Sequence, residues 1–246
     1  MFKRGYFFLA YWLSWLLFGA AALALSLACA LLGLWPGRAR GGRAVRAAIH
    51  GLFLIWIAWL RALGLFVFRW EGSPLDSLPR PAVVVANHPS LVDATFLLAH
   101  LPDAVCVLKP SLLRNPLFGP AARIAGYGTR DAGVDLIRGL AQTVAAGRTL
   151  LIFPEGTRTD PGAACNPLKP GFALIARRAR VPIQVLVVRT GRDLLPRGRP
   201  WWRMPRIPIH YAIAVGPQVD ASSDRSIDDI VAEVHGRFCA GIAGAS

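Results

Sequence analysis

Two short stretches of this chain bring together residue types able to move a proton and hold an anion. The first, Asn87-His88-Pro89-Ser90-Leu91-Val92-Asp93, places an imidazole five positions ahead of a carboxylate. A carboxylate that fixes an imidazole's tautomer and stabilises its protonated form leaves the other ring nitrogen to take a proton from an attacking hydroxyl. On an ideal helix, five positions would rotate His88 and Asp93 apart. His88 must therefore lie on the loop before a helix, which Pro89 near the first helical turn encourages. The bland alternative is that His88 caps a helix and Asp93 bonds a nearby backbone N–H.

The second stretch is Phe153-Pro154-Glu155-Gly156-Thr157-Arg158. A guanidinium binds phosphate as a fork, so Arg158 suits an anionic substrate, while Glu155 would position Arg158 or hold an acceptor hydroxyl. A structural Glu–Arg ion pair in a turn uses the same residues. The four cysteines and five histidines are scattered, with no Cys-x-x-Cys pair and no second histidine at metal-ligand spacing, so no metal site is expected. No Gly-x-Ser-x-Gly elbow supports Ser90 as a nucleophile. The oxyanion donors stay open between backbone N–H groups of the two stretches and the side chains of Ser90 and Thr157.

Taken together, the two stretches resemble the glycerolipid acyltransferase family, which includes glycerol-3-phosphate and lysophosphatidate acyltransferases. That family pairs Asn-His and an Asp five residues later with a downstream Phe-Pro-Glu-Gly-Thr-Arg, and both are intact and in order here. Weaker features follow the same order: Lys109, Asn115 to Gly119, Gly126-Tyr127 with Arg130, Lys169 with Gly171, and Val181-Pro182-Ile183. Gln184 departs from the pattern, standing where a second proline is often found. The resemblance implies that His88 and Asp93 are catalytic, and that Lys109, Arg130, Glu155, Gly156, Thr157 and Arg158 bind the acceptor. It also implies that Val181 and Pro182 contribute to acyl-donor binding. The implied reaction carries an acyl group from acyl-CoA or acyl carrier protein to the hydroxyl of a lysophosphatidate or another lysophospholipid-like acceptor. Thioester-to-ester transfer is downhill, so no cofactor is implied. A catalytically silent lipid-binding or scaffold protein, or an acyltransferase for a non-phospholipid acceptor, are the alternatives.

These loops need a frame that delivers both to one place. The apolar runs at 83–87, 104–108, 149–153 and 183–188 read as strands buried on both faces. Residues 90–101, 133–146, 171–178 and 226–240 read as helices, the second with Ile137, Leu140, Ala141 and Val144 on one stripe. The expected fold is α/β, a mostly parallel or mixed sheet flanked by helices. Both motifs follow strands, the usual place for ligand chemistry in open α/β sheets.

Ahead of this body, residues 6–35 are almost wholly apolar and uncharged, and a second apolar run covers 51–68. The first exceeds both the ~20 residues that span a bilayer and the ~7–15 of a signal-peptide core. Arg38, Arg40, Arg43 and Arg46 lie between the runs, while Lys3 and Arg4 precede the first. Full crossing by both would conflict with the positive-inside rule, so a hairpin dipping into one leaflet, or an interfacial second helix with Arg61 and Arg69 snorkelling to phosphates, is expected. The division is residues 1–70 as membrane-anchoring helices and 71–246 as the catalytic domain. A mean hydropathy of +0.43 and 28 Lys and Arg against 14 Asp and Glu suit an anionic lipid surface. No nucleic-acid motif appears, and nucleic acid is not an expected partner. The expected place is the inner membrane, catalytic domain on the cytoplasmic side. The segment 196–208, with Trp201 and Trp202 among arginines, reads either as an ordinary surface loop or as one resting on lipid headgroups.

Overall fold

The computed structural model describes residues 2–33, 41–73, 80–129, 133–191 and 193–243. Two helices come first, α1 (Phe2–Gly33) and α2 (Gly42–Ala62), followed by β1 (Phe66–Glu71), β2 (Val83–Ala86), α3 (Asp93–Leu98) and β3 (Val105–Leu108). Then come α4 (Pro110–Arg114), α5 (Gly119–Ala125), β4 (Gly128–Thr129), α6 (Gly133–Ala145) and β5 (Leu150–Ile152). The chain ends with α7 (Gly171–Ala179), β6 (Ile183–Thr190), β7 (Ile209–Val219) and α8 (Ile227–Ala243). The expected strands and helices all form. The helix expected over 90–101 is shorter, because Ser90, Leu91 and Val92 form the turn that enters it.

Seven strands make one sheet in the order β1-β7-β6-β2-β5-β3-β4. Neighbours are parallel except β6 and β7, so the sheet is mixed. The β6–β7 ladder shifts register between Gln184 and Leu186. The buried Gln184 amide donates there to the carbonyls of Gly216 (2.6 Å) and Val185 (3.1 Å), filling the irregularity with hydrogen bonds that a proline could not make.

Alternation along the strands gives the sheet two apolar faces. Val83 and Val85 of β2 pack with Leu140 and Val144 of α6, Phe172 and Ile175 of α7, and Ile230, Val234 and Phe238 of α8. Val84 and Ala86 face the other way, into a core that includes Phe96 and Leu97 of α3, Trp56 and Leu60 of α2, and Tyr11 and Phe18 of α1. The two N-terminal helices therefore cover one face of the sheet, and β1 is a full strand of it. The expected boundary at residue 70 falls inside β1, and the core runs continuously across it.

Both α1 and α2 are long and apolar enough to cross a membrane. Yet α1 is held to the rest of the protein along its length. Tyr6 Oη donates to Leu63 O (3.2 Å), the Trp15 and Trp56 rings meet at 5.3 Å, and Ser26 Oγ donates to Leu117 O (2.7 Å). The opposite face exposes Phe8, Leu9, Leu13, Leu16, Leu23, Leu27 and Leu31. Of the connector arginines, Arg46 is buried, pairing through Nε with Asp103 (2.6 Å) and donating to Ala125 O (2.9 Å), so it clamps α2 to the body rather than meeting lipid headgroups. Arg38 and Arg40 lie outside the described residues. Among those described, all four cysteines are free thiols.

Candidate active site

Parallel strands deliver three loops to one edge of the sheet. His88 follows β2, Lys109 follows β3 and Phe153 to Arg158 follow β5, each at the carboxyl end of its strand. Asn87 staples the first loop to the neighbouring strand: its amide donates to Val188 O (2.8 Å) and its oxygen accepts Val188 N–H (2.7 Å). His88 leaves β2 on a loop and Asp93 opens α3, so the imidazole and carboxylate meet despite their five-residue separation. His88 Nδ1 lies 2.8 Å from Asp93 Oδ2.

Asp93 is fully buried and each oxygen is used. Oδ2 also accepts Ser90 N–H (2.7 Å), and Oδ1 accepts the Tyr211 hydroxyl (2.8 Å) from β7. Burial, and then the Asp93 charge, push the Tyr211 phenol well above its ordinary value, so it stays a donor. A carboxylate ringed by donors accepts from Nδ1–H, leaving Nε2 as the basic nitrogen of His88. The ring stacks on Phe153 with centroids 4.1 Å apart, which restricts its rotation.

Glu155 does something other than what its motif position implies. Its buried carboxylate accepts His88 N–H (2.8 Å) and the Thr159 hydroxyl (2.8 Å) on Oε1, and Asn166 N–H (2.9 Å) on Oε2. Thr159 N–H in turn donates to His88 O (2.8 Å). The second motif thus holds the backbone of the first, and Glu155 neither pairs with Arg158 nor lines the cavity.

That cavity, about 460 Å³, is walled by His88, Phe153, Gly156 and Arg158, by Lys109 and Lys169, and by apolar groups including Leu91, Ala94, Leu108 and Leu112. Gly156 adopts φ +68°, a left-handed turn that a side chain would strain. Arg158 Nη1 donates to the carbonyls of Leu195 (2.8 Å) and Pro196 (2.9 Å), so one edge of its guanidinium is committed to the segment joining β6 to β7. Burial lowers its pKa, opposed by the Asp93 charge. Leu91, Ala94, Leu108 and Leu112 also wall a second cavity of about 240 Å³, lined by Trp15, Phe18, Phe53 and Trp56 of the N-terminal helices and closed by Phe118 and Tyr127. The Asn115–Gly119 motif shapes this wall. Asn115 Oδ1 accepts Leu117 N–H (2.8 Å), and a Cβ on Gly119 would lie 2.2 Å from Leu113 O, so only glycine fits.

Of the other expected residues, Thr157 is half-buried away from the cavity and Ser90 is buried with its oxygen 3.5 Å from Val92 N–H. Val181 and Pro182 sit at the opposite edge of the sheet from His88: Pro182 O accepts Val83 N–H (3.1 Å) at the amino end of β2. Neither lines the catalytic cavity, because a parallel strand separates its two ends by its own length. Arg130 lies outside the described residues. Tyr211 was not singled out in the sequence. Its only signal is the period-two alternation of Ile209, Tyr211 and Ile213, which marks an inward-facing strand position.

The family model described as Acyltransferase matches residues 71–189. A 1-acyl-sn-glycerol-3-phosphate acyltransferase of Cocos nucifera is 34% identical over 168 residues, 65% of this chain and 51% of that protein. One from Helicobacter pylori is 33% identical over 112 residues, 43% of this chain and 47% of that protein. The matches to these two relatives thus span about half of each relative's length. In fold, the chain resembles the crystal structure of the 1-acyl-sn-glycerophosphate acyltransferase from Thermotoga maritima, with a TM-score of 0.69 and 22% identity over 91% of this chain and 95% of that one.

Proposed function

We propose that this chain, whose residues 71–189 match the acyltransferase family model, transfers a fatty acyl group from a thioester donor, acyl-CoA or acyl carrier protein, to the free hydroxyl of lysophosphatidate or a closely related lysophospholipid. The observation that carries this reading is the 2.8 Å contact between His88 Nδ1 and the fully buried Asp93, on the wall of a cavity rimmed by cations. His88 Nε2 takes the proton from the acceptor hydroxyl as its oxygen attacks the thioester carbonyl. Asp93 balances the imidazolium that forms. The tetrahedral intermediate collapses with loss of the C–S bond, and the departing sulfur takes the proton back from His88. Bond making and breaking balance with no other reactant, so the protein's task is positioning and charge stabilisation.

Lys109, Arg158 and Lys169 give the cavity the positive charge that an acceptor phosphate requires. The apolar cavity beyond Leu91 and Leu112 receives an acyl chain, at about 0.8 kcal/mol per buried methylene. The protein lies on the membrane, with the exposed face of α1 sunk into one leaflet, since a helix bound to the body from Tyr6 to Ser26 cannot leave it to cross the bilayer. The side is the cytoplasmic face of the inner membrane, where the soluble thioester donors are. The test is an acceptor comparison in reconstituted vesicles. Lysophosphatidate is expected to exceed monoacylglycerol in kcat/KM by about 100-fold, the loss expected when cations built for an anion go unpaired. Equal turnover of the two would overturn the phosphate-acceptor reading.

A further inference from the structure

The segment joining β6 to β7 is anchored at one end and unusually apolar at its tip. Leu194 and Leu195 are buried, and Leu195 O accepts both Leu91 N–H (3.3 Å) and Arg158 Nη1 (2.8 Å), so the base of the loop abuts the catalytic cavity. At the tip, Trp201 and Trp202 are 57% and 62% exposed. An aromatic row joins them to α1. Phe8 and Trp12 have centroids 6.4 Å apart, Trp12 and Trp201 6.2 Å, and Trp201 and Trp202 6.0 Å. Phe8 belongs to the exposed apolar face of α1, so that face continues without a break onto the loop.

Beside the tryptophans the loop is cationic. A shallow depression of about 530 Å³ is lined by Arg199, Arg203 and Arg206 with Asp193, Met204 and Pro205. The one carboxylate, Asp193, already accepts Arg206 N–H (2.6 Å). Arg199 Nη2 donates to Met204 O (3.2 Å), while its Nε is buried without a hydrogen-bond partner among the described residues. Tryptophan prefers the boundary between hydrocarbon and headgroups, and guanidinium groups beside it are placed at the level of lipid phosphates.

We infer that the 196–208 loop is a docking surface for anionic phospholipid headgroups, with Trp201 and Trp202 at the hydrocarbon boundary and Arg199, Arg203 and Arg206 on the phosphates. It rests on the membrane reading above. It adds that the surface discriminates lipid charge, and that headgroup contact is made by the same loop whose carbonyls hold Arg158 at the cavity.

Hydrogen exchange on the full chain in nanodiscs tests this. Nanodiscs of phosphatidylcholine alone are compared with ones carrying phosphatidylglycerol, for the native chain and for Arg203→Gln/Arg206→Gln. Each arginine near an anionic surface is worth about a fivefold change in occupancy. With three arginines, loop amides are therefore expected to exchange about 125-fold more slowly in the anionic nanodiscs, and this protection is expected to fall to about fivefold in the double variant. Protection of α1 and α2 in both nanodiscs reports membrane insertion separately. Loop exchange indifferent to lipid charge, with α1 and α2 protected, would overturn the inference and leave membrane insertion standing. Equal protection by glycerol phosphate added to phosphatidylcholine nanodiscs would also overturn it, by making this a site for a soluble anion.

Discussion

Replacing Asp93 by Asn changes charge while nearly preserving shape, and the surrounding donors determine how the amide sits. Oδ2 accepts two N–H groups, from Ser90 and His88, whereas Oδ1 accepts one hydroxyl, from Tyr211. The amide oxygen must take the Oδ2 place, because an NH2 there would confront two donors. The NH2 then faces Tyr211, whose hydroxyl can turn to accept it. His88 keeps its Nδ1–H tautomer, and only the charge opposite the imidazolium is lost. A charge-assisted hydrogen bond contributes about 1.5–3 kcal/mol, which at 1.36 kcal/mol per tenfold predicts a fall in kcat of about 10- to 100-fold. That is smaller than the ~10⁴-fold loss in the serine-protease triad, where the amide enforces the wrong tautomer. Asp93→Ala leaves all three donors without an acceptor, and is expected to lose about 10³-fold or more along with several degrees of Tm. Thiol release under saturating substrates, with melting curves for both variants, gives the comparison. An Asn variant within twofold of the native rate, or one as impaired as the Ala variant at unchanged Tm, would refute this assignment of the hydrogen bonds.

Three further outcomes follow from the same geometry. Tyr211→Phe removes the donor that holds Asp93 Oδ1, so the carboxylate loses alignment with the imidazole. The expected result is a kcat about 5- to 10-fold lower at constant acceptor KM; a fall in Tm with kcat unchanged would mean Tyr211 only packs. Glu155→Gln places an NH2 toward either Asn166 N–H or the two donors on Oε1, destabilising the protein by about 1–3 kcal/mol in thermal or chemical unfolding. A selective rise in acceptor KM at unchanged Tm would instead make Glu155 a substrate ligand. Cys106, in the cavity wall, has its thiol pushed up to about 12 by burial. At pH 8, four units below that value, only about one thiol in 10⁴ is the reactive thiolate. Iodoacetamide should therefore leave activity intact, and rapid inactivation prevented by acyl donor would point to a cysteine acyl-enzyme.

Strands β2, β3, β5 and β6 were legible because both of their faces are buried, which leaves continuous apolar runs in the sequence. The helices α6, α7 and α8 were legible for the complementary reason, each having one buried stripe against the sheet. By contrast β1 is written as the tail of an apolar run, so Phe66 and Phe68 read as more helix although they pair with Ile209 and Tyr211. That pairing closes a loop of over a hundred residues, and no local pattern announces it. The catalytic pair was legible because the loop-then-helix geometry around Pro89 follows from local sterics. Tyr211 was not, since its partner lies 118 residues earlier. Glu155 shows the opposite failure. Its place in a charged motif marks it as important, but hydrogen bonds to backbone N–H groups leave no trace in residue type. Val181 and Pro182 illustrate the same limit, being near His88 in neither chain nor space.

The most direct measurement is acyl transfer by His88→Ala in vesicles, from an acyl thioester to lysophosphatidate, beside the native protein at matched folded concentration. Loss of the general base predicts a rate at least about 100-fold lower, with substrate binding retained. Equal product from the two proteins would contradict the proposal that the imidazole held by Asp93 activates the acceptor hydroxyl.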